Sequence, residues 1–142
     1  MRVGEEDLLP GTFSQMLANL SGWLDKAADH LAGLGQDPDL MLSWQLAPDM
    51  YPLSGQIRFA CFLAREPHFR LQGLSLPAPL LAVREAGWST NEKPGTLAEA
   101  KALLAETIAT FDSHYRAGLA TKLDRPLALE LPDGHIFDLT EA

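Results

Sequence analysis

The side chains of this chain that could do chemistry are four histidines, one cysteine and one short string combining aromatic, carboxylate and amide groups. The histidines are His30, His68, His114 and His135. No two of them have the i, i+4 spacing that would set two imidazoles on one helix face around a metal. His30 and His114 fall towards the C-termini of predicted helices, where the helix dipole favours a cation. Cys61 is the single cysteine, which excludes an internal disulfide and a cysteine-based zinc site. Its neighbours Ala60, Phe62, Leu63 and Ala64 suggest a buried thiol on a helix, with no His or Lys nearby in sequence to make it a thiolate. Glu5-Glu6-Asp7 reads as a solvated tail, and Asp25 and Asp29 as an i, i+4 pair on a polar helix face. Nucleophile-elbow, phosphate-loop and dinucleotide glycine motifs are absent from the sequence. Ser54-Gly55 by itself does not make a nucleophile.

The most distinctive string runs from Trp44 to Ile57, WQLAPDMYPLSGQI. It gathers an indole, a phenol, a carboxylate and an amide around a rigid turn entering a helix. Trp44, Asp49, Tyr51 and Gln56 are the ligand-pocket candidates, because small-ligand sites are mostly apolar with a few placed polar groups. Under a purely structural reading Asp49 caps the following helix while Trp44 and Tyr51 close the core. That reading requires less, and both are carried forward.

Helices must position these groups. Phe13, Met16, Leu17, Leu20, Leu24, Ala27, Ala28, Leu31 and Leu34 recur at spacings of three and four, predicting a helix from about Thr12 to Leu34. Thr12 is placed to cap it, and Gly33 and Gly35 to end it. Asp37-Pro38 predicts a capped short helix through Leu40, Met41 and Trp44. From Pro52 a second long helix buries Leu53, Ile57, Ala60, Cys61 and Ala64, and Pro67 should kink, break or restart it. Leu74 to Pro94 shows no sustained period and reads as a long surface connection. Thr96-Leu97-Ala98-Glu99 is a capping box opening a third long helix with a stripe of Leu97, Leu104, Ile108, Phe111 and Tyr115, ending near Gly118. Two alternating segments around Pro132-Asp133-Gly134 predict a β-hairpin, which must pack on the helices because an isolated one is marginal in water.

At 142 residues with 46% hydrophobic content, the chain has the size and composition of a single domain with a real core. Eleven Lys and Arg against nineteen Asp and Glu give a net charge of −8. Such a surface repels phosphate backbones and anionic headgroups, so nucleic acid and membrane surfaces are not expected partners. The first residues carry no apolar run of a signal peptide, and no segment approaches the length of a membrane span. The expected location is the cytoplasm.

Leu46 to Cys61, L-A-P-D-M-Y-P-L-x-x-Q-I-x-x-A-C, resembles the family known as domain of unknown function 1993. Phe13 to Leu20, FSQMLANL, then Leu24 to Ala27 and the predicted hairpin support the resemblance. It is closest over the first half of the chain and thinner after Pro67. That family looks like a branch of the DinB-like, or YfiT-like, up-down four-helix bundles, which are often dimeric. The resemblance therefore implies an all-α DinB-like bundle with three long helices here, the fourth lying outside the chain, and a small hairpin near the C-terminus. Residues 1–142 would form one such domain, C-terminally incomplete, with an apolar seam exposed where the fourth helix belongs. Many members carry nickel or zinc on three histidines, one from the second helix and two from the fourth. The second helix here offers Gln56 and Arg58 in its first turns and no histidine before His68. No metal ligand is therefore assigned and no cofactor expected, unless a fourth helix supplies histidines.

Two functions follow as expectations. One is a non-catalytic bundle binding a small ligand or a partner without metal, most simply as a homodimer. The other is a DinB-like metal- or thiol-dependent transferase or hydrolase, which rests on the resemblance alone. The first requires nothing that the sequence lacks.

Overall fold

The computed structural model describes residues 5–116 and the strands 127–130 and 136–139, with side chains described over 11–114. Its helices are α1 (Glu5–Gly33), a 3-10 turn (Pro38–Ser43), α2 (Leu53–Leu71), α3 (Ala78–Trp88) and α4 (Leu97–Arg116). Strands β1 (Leu127–Glu130) and β2 (Ile136–Leu139) pair antiparallel, with Leu129 opposite Phe137. The Pro132-Asp133-Gly134 turn and His135 lie outside the described residues.

Local hydrogen bonds mark the helix boundaries. α1 and α2 end in the same way: Gly35 and Gly73 adopt φ of 72° and 65°. The amide of the next residue then reaches back to the helix, Gln36 N to Leu31 O at 2.9 Å and Leu74 N to Phe69 O at 2.9 Å. Glycine reaches this left-handed geometry without a Cβ penalty. Asp37 caps the 3-10 turn by accepting from Asp39 N at 3.0 Å. At α4 the capping box is reciprocal: Thr96 N donates to Glu99 Oε2 at 2.9 Å, and Glu99 N donates to Thr96 Oγ1 at 3.2 Å. Asp39 Oδ1 takes a further orphan amide there, from Leu97 at 2.8 Å.

Several expectations are corrected. α1 begins at Glu5, so the acidic run is helical and Thr12 lies inside the helix rather than at its cap. Three acids in a first turn suit the positive end of the dipole. Pro67 does not end α2, which continues to Leu71. Proline there removes one backbone bond, while the Arg70 to Glu66 ion pair at 3.0 Å spans the position. The stretch 74–94 is not a plain connection, because it contains the 11-residue α3. Its prolines occupy the cap and the first turn, where a missing amide hydrogen costs nothing. The described residues thus hold four α-helices rather than three.

The helices alternate in direction along the chain and stand in the spatial order α1, α4, α2, α3. Phe13 meets Phe111 edge-on, Ser14 donates to Asp112 and Lys101 pairs with Asp25, so α1 runs antiparallel to α4. The core lies along α4. Ala100, Leu104 and Phe111 bury against Leu17, Leu24 and Leu31 of α1, Ile57, Cys61 and Ala64 of α2, and Met41 and Leu42 of the 3-10 turn. Each fully buried large side chain contributes about 1.5–3 kcal/mol.

α2 and α3 approach through glycine. A Cβ on Gly55 would lie 2.6 Å from Thr90 Oγ1 and 3.0 Å from Tyr51 Cβ. Thr90 is itself buried and held by a 2.7 Å bond to Gly87 O, so it has nowhere to go. Gly55→Ala should therefore lower stability by about 1–2 kcal/mol, the overpacking cost exceeding the gain in helix propensity. Gly22→Ala in α1, where a Cβ meets nothing within 4 Å, should raise it by about 0.5–1 kcal/mol. Urea midpoints of the two variants check both signs.

Candidate functional site

The connector between the 3-10 turn and α2 is short, irregular and heavily braced. Trp44 N donates to Met41 O at 3.1 Å, Leu53 N to Trp44 O at 2.9 Å, and Met50 N to Ala47 O at 3.0 Å. The Gln45 amide ties the loop to itself and to the turn before α4, donating to Met50 O at 2.6 Å and Asn91 Oδ1 at 3.2 Å. Despite these ties it presents apolar groups to solvent. Leu46 is 93% exposed and Trp44 56%, with Leu40, Met50 and Tyr51 also exposed. A loop fixed by its own hydrogen bonds cannot fold these side chains inward to escape water.

Trp44, Asp49 and Tyr51 sit on this segment and Gln56 in the first turn of α2, and all four are exposed. Tyr51 packs edge-on against Phe59 with ring centroids 5.0 Å apart. Gln56 Nε2 reaches Tyr51 O at 3.4 Å. The structural reading of the string is corrected. Asp49 does not cap α2, whose N-cap is Pro52 with no side-chain bond, and Trp44 does not close the core. Met41, Leu42 and Pro52 fill that space instead.

A second cluster, which the sequence spacing could not reveal, joins the C-terminal ends of α2 and α4. The His68 and His114 rings stack, with centroids 3.7 Å apart and planes within 10°. Phe69 stands edge-on to both, at 5.1 and 5.9 Å. Burial lowers the His68 pKa, with His114 adding to the effect, and burial followed by the Arg65 charge lowers that of His114. Arg65 pairs with Glu106 at 3.3 Å and Arg70 with Glu66, which fixes the surrounding charges. About two turns towards the helix N-termini, the Cys61 thiol is fully buried against Thr107. Burial pushes it up and outweighs the hydroxyl and arginine contacts that pull it down, so it is a core residue rather than a nucleophile.

Among the described residues the three-histidine set implied by the resemblance is not assembled. Parallel stacked rings do not converge on one ion, and among the described residues no group of three or more His, Cys, Asp or Glu side chains is placed to hold a metal. His30 is exposed in the last turn of α1, and His135 lies outside the described residues.

The histidine pair sets a pH dependence. Both groups titrate below the ordinary value of 6.5 when folded, so the unfolded chain binds protons first. Their contribution to stability is present above about pH 6.5 and declines as pH falls towards the folded values. Denaturant midpoints from pH 7.5 to 5 should show this loss, and a His68→Phe/His114→Phe variant should flatten it.

The described helices are those of an all-α domain with an α4-centred core, and none of them is long and apolar enough to cross a membrane. A family model described as Domain of unknown function (DUF1993) matches residues 7–142, and the chain belongs to that family. No curated protein and no solved structure matches the chain.

Proposed function

We propose that this chain is a non-catalytic helical binding domain of DinB-like descent, working in the cytoplasm, whose contact site is the braced connector around Trp44, Asp49, Tyr51 and Gln56. The observation that carries this reading is the exposure of Leu46 and Trp44 on a loop whose backbone is pinned at both ends. Exposed apolar groups held rigid cost little further entropy on binding, and clustered ones mark contact sites. The buried thiol and the stacked histidines offer no activated nucleophile or converging acid and base, which supports binding over catalysis.

The test uses dansylamide, a neutral apolar fluorophore that accepts energy from tryptophan. Wild-type protein should bind it with energy transfer that falls strongly in Trp44→Phe and persists in Trp23→Phe. Leu46→Ser should weaken the affinity at least fivefold. Binding that ignores Leu46→Ser and Trp44→Phe would remove the connector as the site.

A homodimer through α1 accompanies this reading. Phe13, Met16 and Trp23 remain exposed on α1, which ends the row of helices, and with Leu20 and Ala27 they make a stripe without a charged residue. In a chain of net charge −8, a neutral apolar stripe is the surface on which two copies meet with least repulsion. Light scattering should give a dimer mass for the wild type and a monomer mass for Trp23→Glu. A wild-type monomer at tens of micromolar would end this reading.

A further inference from the structure

The connector and the α1 stripe are both apolar, yet their charge settings differ. From Ala27 to Ile57 the sequence holds four aspartates, Asp29, Asp37, Asp39 and Asp49, and neither Lys nor Arg. Three of these acids, Asp37, Asp39 and Asp49, lie on the stretch 37–51 that carries the exposed Leu40, Trp44, Leu46, Met50 and Tyr51. Asp39 commits one oxygen to Leu97 N, and Asp37 accepts from Asp39 N, but among the described residues neither forms a salt bridge with a cation. Asp49 is exposed at the head of the loop. On the side reached through Asn91, the exposed Glu92 and Lys93 offset each other. The nearest arginine in sequence, Arg58, gives its guanidinium to the carbonyls of Ser54 and Pro94 at 3.2 and 3.3 Å.

Building on the proposed function, we infer that the connector docks a basic amphipathic segment of another protein, one whose bulky apolar face meets Trp44 and Leu46 while flanking Lys or Arg side chains meet Asp37 and Asp49. A second copy of this chain is the wrong occupant for this surface, since it would bring a like-charged rim against the first. Rim charges of this kind raise the association rate and set specificity, whereas the buried anchors hold the complex. The two contributions separate by salt: the carboxylate part is screened and the apolar part is not.

The experiment uses the full chain and three synthetic 18-residue amphipathic helices with the same leucine face and a polar face of Lys, Gln or Glu. At low salt the Leu/Lys peptide should bind at least tenfold tighter than Leu/Gln, and Leu/Glu should not bind. Asp37→Asn/Asp49→Asn should weaken Leu/Lys binding about five- to tenfold at low salt and have no effect near 1 M salt. Trp44→Ala should weaken it more than tenfold at both, while Leu63→Ala, at an exposed position of α2, leaves it unchanged. Leu/Gln binding as tightly as Leu/Lys, still lost in Trp44→Ala, would overturn the basic partner and leave the connector as the binding site. Leu/Lys binding that ignores Trp44→Ala, or no peptide binding at all, would overturn both.

Discussion

Burial of α4 on two sides is the constraint on which the rest of the structure depends. Leu104 and Phe111 are almost wholly removed from water, and they touch a core drawn from α1, α2 and the 3-10 turn together. α1 and α2 meet only marginally, so α4 is the surface on which both bury their apolar stripes, with the 3-10 turn packed against all three. The start of α4 is therefore fixed more firmly than a local cap requires. Its capping box satisfies two amides, and Asp39, 58 residues earlier, takes a third. One carboxylate thus ties the 3-10 turn to the head of the central helix, and the connector that follows inherits that fixed anchor.

This anchoring explains why the connector can be both irregular and rigid. A loop of its length with two prolines has few helical bonds to make. Leu53 N donates instead to Trp44 O, Met50 N to Ala47 O and the Gln45 side chain to Met50 O, while Gln45 also donates to the Asn91 side chain. The same pinning keeps Leu46 and Trp44 in solvent, so a packing solution on the inner side of the segment generates an apolar surface on its outer side. The α2–α3 contact shows the complementary case. There Gly55 and Gly87 let two backbones approach until Thr90 and Phe59 fill the space completely.

How much could be read in advance depended on the range of the interaction. The Asp37 cap, the Thr96–Glu99 box, the Gly35 terminus and the buried Cys61 were legible, since each rests on backbone conformation or composition within a few residues. Misreadings arose where a local rule met a longer-range one. Pro77 and Pro79 lie in the stretch read as a surface connection but open α3, and Pro67 is carried inside α2. The connector residues were legible as unusual, but not as exposed. An indole and a phenol in a Leu-rich string equally suit a core, and only the filling of that core by Met41, Leu42 and Pro52 left Trp44 outside.

The sequence by itself determined the all-α class, the Gly35 end of α1, the starts of α2 and α4, the net negative charge and the family. Those follow from hydrogen bonds, backbone angles and charges that neighbouring residues settle among themselves. Only the tertiary structure decided which side of the broad apolar surface of α1 is buried, leaving Leu17, Leu24 and Leu31 inside and Met16 and Trp23 out. It alone brought His68 onto His114 and Asp39 to the amide of Leu97. Periodicity shows that a helix has an apolar side, but the direction that side faces is set by which helix arrives to cover it.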